Sequence, residues 1–151
     1  MKTTDDLTSV LLRTHPDALS ETLEHLAPRM AEEEKPFAAH MRAVIRENGL
    51  RQQAVFLAAD IPEGFGYKLV SEERHTHRRD TILRLCFAAR MTVEQAQRAL
   101  RLQGLSPLYS RLPRDAALLV ALNAGMYEIL DVNDYLQRGG FEPLAPCGSA
   151  E

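Results

Sequence analysis

The residues able to carry out chemistry are few and are not arranged as a catalytic or metal site. His75 and His77 form a His-x-His pair, but no further cysteine or carboxylate follows at a fixed metal-ligand spacing. Cys86 and Cys147 are the only cysteines and form no Cys-x-x-Cys motif. No nucleophile elbow, phosphate-binding loop or His-Glu-x-x-His motif is present. We therefore expect no enzyme, no metal and no cofactor, and we expect Cys86 to be a buried apolar group.

The composition indicates an ordinary soluble globular protein. The 151 residues are 45% hydrophobic and 26% charged, which suits one compact domain or a small domain with appendages. No apolar run approaches the ~18 residues of a membrane helix. The N-terminal sequence MKTTDDLTSV lacks the basic and apolar regions of a signal peptide. These features argue against a secreted disulfide scaffold, a membrane protein and a long disordered chain, and they predict a cytoplasmic protein with no membrane partner.

Charge is distributed unevenly along the chain. Residues 1–35 carry a net charge of −4, residues 36–105 a net charge of +4, and residues 106–151 a net charge of −3. A basic middle between acidic flanks is compatible with a polyanionic partner. An ordinary solvated surface would give the same asymmetry.

Apolar residues recur at helical spacing throughout, and no segment alternates as a strand does. The sequence therefore predicts an all-α fold of some eight short helices. Residues 1–35 form an acidic helical appendage, with Pro16 opening its second helix. Residues 36–105 form a tighter helical domain, in which Asp80 is expected to cap one helix and Thr92 with Gln95 to form a capping box. The tail, residues 145–151, is expected to be disordered.

A repeat extends through the C-terminal half. The segment RDTILRLCFAARM begins at Arg79, and RDAALLVALNAGM begins at Arg114, 35 residues later. GLSPL (104–108) and GFEPL (140–144) are offset by 36. The sequence thus predicts one helix-hairpin used twice, with residues 106–144 as the second hairpin. Each Arg-Asp pair is expected to interact locally, and Tyr109 is expected to pack between the units.

The order of motifs in residues 37–91 resembles the lambda-repressor-like, or XRE-type, helix-turn-helix family. A helix ends in Asn48-Gly49-Leu50, Gln52 follows, and then come Val55-Phe56 and Ala59-Asp60-Ile61. A short turn leads to an aromatic-containing helix and to the segment RDTILRL from Arg79. The family has "GL-x-Q", "LA-x-x-AGI", a recognition helix and "PSRDTLLRLA" in this order. The second hairpin looks like an extension found in some bacterial members.

The resemblance implies a DNA-binding transcription regulator whose third helix enters the major groove of duplex DNA. It places Glu63, Gly64, Phe65, Tyr67 and Lys68 at base edges, with Phe65 partly packed beneath the helix. Gln52 and Gln53 begin the preceding helix, where amides and backbone N–H groups grip phosphate. Backbone contacts beyond the third helix are expected from Arg74, His75, His77, Arg78 and Arg79.

The sequence departs from the family at this surface. Pro62-Glu63-Gly64 replaces the usual Ser/Thr/Arg cluster, and Glu72-Glu73 adds negative charge. A second hypothesis therefore stands beside DNA binding, namely an adaptor that uses a repurposed helix-turn-helix to bind a protein. Under either hypothesis a homodimer is possible, and the acidic N-terminal helices or the second hairpin are available for a protein partner.

Overall fold

The protein is all-helical in the part of the chain that the computed structural model describes, residues 4–32 and 35–148. Nine α-helices and one short 3-10 turn, Pro16–Ala18, lie in these ranges, and no strand does. The helices are α1 (Thr4–Leu12), α2 (Leu19–Glu32), α3 (Pro36–Glu47), α4 (Gln52–Ala59), α5 (Glu63–Val70), α6 (Arg79–Ala88), α7 (Val93–Leu102), α8 (Pro113–Asn123) and α9 (Ile129–Arg138). The all-α prediction is confirmed, with one helix more than expected.

The chain divides into two compact units, residues 1–36 and 37–151. The N-terminal unit contains α1, the 3-10 turn and α2. Pro16 begins the 3-10 turn rather than the longer helix, and the His15 ring accepts a hydrogen bond from the Asp17 N–H at 3.1 Å. The remaining description concerns the second unit.

Helix α6 is the central helix of the second unit. Every residue from Thr81 to Ala89 is buried, because α4, α7 and α9 all pack against it. Cys86 is fully enclosed, as predicted, and burial raises the pKa of its thiol to about 12. The apolar core of the unit is thus built around one helix.

Local signals at the ends of these helices had mixed outcomes. The capping box is confirmed, since Thr92 Oγ1 accepts from the Gln95 N–H at 3.1 Å and Gln95 Oε1 accepts from the Thr92 N–H at 3.0 Å. The prediction that Asp80 caps α6 is wrong. The helix begins at Arg79 with Arg78 as its N-cap, and the Asp80 carboxylate binds a distant arginine instead.

The two hairpins, residues 79–109 and 114–145, interact through reciprocal ion pairs. Arg79 donates to the Asp115 carboxylate, with an Nη1–Oδ2 distance of 3.0 Å. Arg114 donates to both oxygens of Asp80, at 3.1 and 3.0 Å. The expectation that each Arg-Asp pair interacts locally is therefore wrong. Neighbouring charges point to the other hairpin because the two hairpins face each other, as the two halves of a symmetric dimer do.

Further hydrogen bonds of the first hairpin recur at equivalent residues of the second, 35 or 36 positions later in the chain. Asp115 accepts from the Tyr109 N–H and Asp80 from the Ala145 N–H, both at 2.9 Å. Arg79 donates to the Pro107 carbonyl at 3.5 Å and Arg114 to the Pro143 carbonyl at 3.1 Å. In the same way, the side-chain oxygens of Gln97 and Asn133 accept from the N–H groups of Leu108 and Leu144. The hairpins are therefore related by an approximate internal twofold.

Two expectations near this interface concern Tyr109 and the tail. Tyr109 does not pack between the hairpins, since the residue is 54% exposed. Ala145, the first residue of the predicted disordered tail, is held by the hydrogen bond to Asp80. Residues 149–151 lie outside the described part of the chain. In the described helices, no stretch is both long and apolar enough to cross a membrane.

Candidate nucleic-acid interface

Helices α4 and α5 are joined by a tight turn with a left-handed residue at its start. Asp60 ends α4 with φ 56° and ψ 47°. Aspartate is one of the few residues other than glycine that adopt this conformation readily. It can therefore occupy the position at which the family that the sequence resembles has glycine. The Ile61 N–H then donates to the Phe56 carbonyl at 3.0 Å, which closes the helix end. Pro62 precedes the first residue of α5.

A glycine lets α5 approach α4 closely. Gly66 is buried, and a Cβ placed on it would lie 2.6 Å from the ring of Phe56. The next residue, Tyr67, packs edge-on against the same ring with the centroids 4.9 Å apart. Gly66 is thus needed for packing, although glycine weakens isolated helices. Gly64, by contrast, has nothing within 4 Å of a Cβ.

Four of the five side-chain positions predicted to read bases are exposed on α5. Glu63, Gly64, Tyr67 and Lys68 face solvent, and Tyr67 is 43% exposed despite its contact with Phe56. Phe65 is half-buried and packs against the core, as the sequence predicts. The exposed residues lie on the first two turns of the helix, so they can approach one ligand surface together.

The two glutamines at the start of α4 lie in different surroundings. Gln52 lines a cavity of about 370 Å³ together with Gly64, Tyr67 and Lys68 of α5. Gln53 lines a separate cavity of about 400 Å³ beside Leu57 and Glu63. Each glutamine therefore lies beside part of the surface that the resemblance points to, Gln52 near Lys68 and Gln53 near Glu63.

Two arginines that sequence reasoning missed lie beside Gln52. Arg42 lines the same cavity as Gln52 and Lys68, and Arg42 and Arg46 together line an adjacent cavity of about 410 Å³ that also reaches Gln52. Both arginines are exposed on α3. The signal was available, because they are four residues apart and fall outside the apolar face of the helix.

The basic residues after α5 lie in different surroundings. His75, His77 and Arg78 are exposed, and so is Arg74, whose backbone N–H donates to the Lys68 carbonyl at 3.1 Å. Arg79 is different, because its guanidinium is committed to Asp115 in the reciprocal pair. The Arg79 guanidinium therefore already has an anionic partner within the chain.

The two glutamates after α5 also differ. Glu72 has φ 63°, and its Oε2 accepts from the Ala38 N–H at the start of α3 at 3.4 Å. Its negative charge therefore faces the partly positive end of a helix. Glu73 is exposed and lines the cavity that contains Lys68. Of the two, Glu73 is the one whose charge is exposed beside Lys68.

The buried side chain of Arg84 connects the end of α4 to the end of the second hairpin. Arg84 is only 4% exposed, and it donates to the Ala59 carbonyl at the end of α4 at 3.2 Å. It also donates to the carbonyls of Leu144 and Ala145, both at 2.8 Å. The end of the second hairpin is thereby tied to the turn between α4 and α5.

The described residues contain no group of three or more His, Cys, Asp or Glu side chains placed to hold a metal ion. Comparison of the chain with family models, with curated proteins and with solved structures found no match. The function proposed below therefore rests on the geometry and charges of the chain itself.

Proposed function

We propose that this protein binds duplex DNA with α5 in the major groove and α4 across the backbone. The observation that carries the proposal is the pair α4 and α5, joined through left-handed Asp60 and held close by Gly66 against Phe56. This pair has the order of the lambda-repressor-like helix-turn-helix that the sequence resembles. It leaves the N-terminal part of α5 exposed, which is the part that meets base edges in such complexes.

The side chains on this surface suit distinct parts of DNA. Glu63 can accept a hydrogen bond from the amino group of cytosine, and Tyr67 offers an apolar ring with a polar tip to a base edge. Lys68, Arg42 and Gln52 surround one cavity and together favour phosphate. The cations outnumber Glu73 there, so the surface can attract a polyanion although the chain as a whole is acidic.

Binding to a labelled random-sequence duplex, followed by fluorescence polarisation at several salt concentrations, tests the proposal. We expect a dissociation constant of roughly 10⁻⁴–10⁻⁶ M at physiological salt and a logarithmic salt slope of about −0.9 per neutralised phosphate. Lys68→Ala and Arg42→Ala should each weaken binding and reduce the slope by about one phosphate.

Arg101→Ala is the matched control, because Arg101 is an exposed arginine on α7 that lines neither cavity around Gln52. Its binding should equal that of the wild type. Equal losses in all three variants would mean that DNA responds to net charge alone, and no binding at low salt would contradict the proposal.

A protein partner at the same surface is the second candidate. Glu63 and Glu73 are exposed, as is Tyr67, and Leu57 on the neighbouring helix is 82% exposed. Exposed aromatic side chains are features of protein interfaces, whose rims are polar. If this candidate is correct, DNA binding is absent and a partner recovered from host cytosol is lost with Tyr67→Ala. Recovery that Tyr67→Ala leaves unchanged would count against it.

A further inference from the structure

The solvent-facing side of α8 carries no charge. Its residues recur at helical spacing on the side opposite the buried Asp115, Leu118 and Leu122. They are Leu112 at the N-cap, Pro113, Ala116, Val120, Asn123 and Ala124, and we call them the outer α8 face. Val120 is 57% exposed and Leu112 is 50% exposed. Asn123 is the one polar side chain of this face, and contiguous exposed apolar patches mark interaction sites.

The internal twofold relates residues of the outer α8 face to residues on α6 of the first hairpin. Val120 corresponds to Leu85 on α6, 35 residues earlier, and Leu85 is fully buried at 0% exposure. Ala116 and Ala124 correspond to Thr81 and Ala89, which are 1% and 0% exposed. These three positions of the repeated helix are therefore covered in the first hairpin and more open in the second, whereas His77 and Arg78, the counterparts of Leu112 and Pro113, are exposed.

The packing of the helices explains the difference. α6 packs against α7 and α9, and α8 packs against α9 and α7, as the internal twofold requires. α6 has one further neighbour, α4, and among the described helices none packs in the corresponding way against α8. The middle of the outer α8 face, formed by Ala116, Val120 and Ala124, thus corresponds to a part of α6 that is buried within this chain.

We propose that the outer α8 face packs against the same face of a second copy of this chain, with the two α8 helices antiparallel. A charge-free face matches itself without repulsion, whereas it gives a charged partner nothing to pair with. The charges beyond its two ends have opposite signs, because exposed Arg111 precedes the helix and exposed Glu128 follows it. An antiparallel pair brings Arg111 of each copy towards Glu128 of the other, twice by symmetry.

In the antiparallel arrangement, the partly positive end of each α8 helix also lies beside the partly negative end of the other. This dimer does not depend on DNA binding, so either proposal can fail without the other. If both hold, the dimer carries two copies of α5, as a two-part DNA site requires.

Sedimentation of the full chain over a range of concentrations tests the interface. The wild type should approach twice its 16.9 kDa mass as concentration rises. Val120→Glu should remain monomeric at concentrations where the wild type is dimeric. Leu57→Glu is the control, since it places the same charge at an exposed leucine on α4 and should dimerise normally. A wild type that stays monomeric, or a Val120→Glu variant that dimerises as well as the wild type, would overturn the proposal.

A charge exchange tests the antiparallel orientation separately. Arg111→Glu should weaken the dimer severalfold, and adding Glu128→Arg should restore it. A cysteine at position 120, introduced as Val120→Cys together with Cys147→Ser, should form a linked dimer under mild oxidation, whereas Leu57→Cys in the same background should not. Failure of the exchange to restore association would rule out this orientation, and crosslinking at position 57 but not 120 would rule out this face.

Discussion

Arg79 binds the carboxylate of Asp115, 36 residues along the chain, rather than that of its neighbour Asp80. Asp80 is bound instead by Arg114, so the two Arg-Asp dipeptides exchange partners between the hairpins. Each carboxylate also accepts a backbone N–H from the segment that ends the opposite hairpin. The repeat is therefore held together by polar contacts that neither hairpin satisfies alone.

Removal of the Asp115 carboxylate should destabilise the protein more than removal of its counterpart. Asp115→Ala removes the acceptor of the Arg79 guanidinium, which is 25% exposed, and of the Tyr109 N–H, and donors left without an acceptor cost about 1–3 kcal/mol. Asp80→Ala should cost less, because the Asp80 side chain is 19% exposed and that of Asp115 only 2%. Urea unfolding followed by circular dichroism gives both free energies, and a greater loss for Asp80→Ala would contradict this ordering.

The two glycines of α5 should respond in opposite directions to alanine. Gly66→Ala forces a methyl group against the Phe56 ring, and overpacking of this kind costs about 1–3 kcal/mol. Gly64→Ala meets no neighbour and should be neutral or stabilise the helix by up to about 1 kcal/mol. Thermal unfolding of the two variants is the measurement, and equal melting temperatures would show that Gly66 is not needed for the packing of α4 and α5.

Stability should fall as acid protonates His40. Its pKa is lowered, mainly because the half-buried ring is desolvated and also by nearby Arg98. The hydrogen bond to the Gln95 carbonyl, at 2.8 Å, and the charge of Glu47 act in the opposite direction but do not prevail. The folded state disfavours the charged ring. The contribution of the neutral His40 ring to the free energy of unfolding is therefore complete above the unfolded pKa of about 6.5, and it declines as pH falls below that value.

The comparison for His40 is His40→Gln, which cannot titrate. Its unfolding free energy should change less between pH 7 and pH 5 than that of the wild type. Direct NMR titration of the His40 ring should give a pKa below 6.5. A value above 6.5 would reverse the expected sign.

The two cysteines should differ in reactivity. Burial raises the pKa of the Cys86 thiol to about 12, and Cys147 is partly exposed. A disulfide reagent at pH 8 should modify Cys147 in the folded protein and Cys86 only after denaturation. Cys147→Ser should therefore remain unmodified until it unfolds, and rapid labelling of that variant under native conditions would show that α6 is open to solvent.

The features that the sequence predicted correctly depend on residues close together in the chain. The capping box needs only Thr92 and Gln95, three positions apart, and burial of Cys86 follows from helical periodicity. The Arg-Asp pairing and the role of Arg84 were missed because they depend on how distant helices pack. Glu72 was read as a charge facing DNA for the same reason, since its contact with Ala38 joins residues 34 apart.

Arg84 has a consequence for folding during synthesis. The turn after α4 receives a buried hydrogen bond from Arg84, and the other two hydrogen bonds of Arg84 go to the carbonyls of residues 144 and 145. At about 5–20 residues per second, the ribosome needs on the order of 3–12 s to proceed from residue 84 to residue 145. During that interval the Arg84 charge lacks two of its acceptors, so the nascent chain completes the surface around α5 only after the second hairpin has emerged.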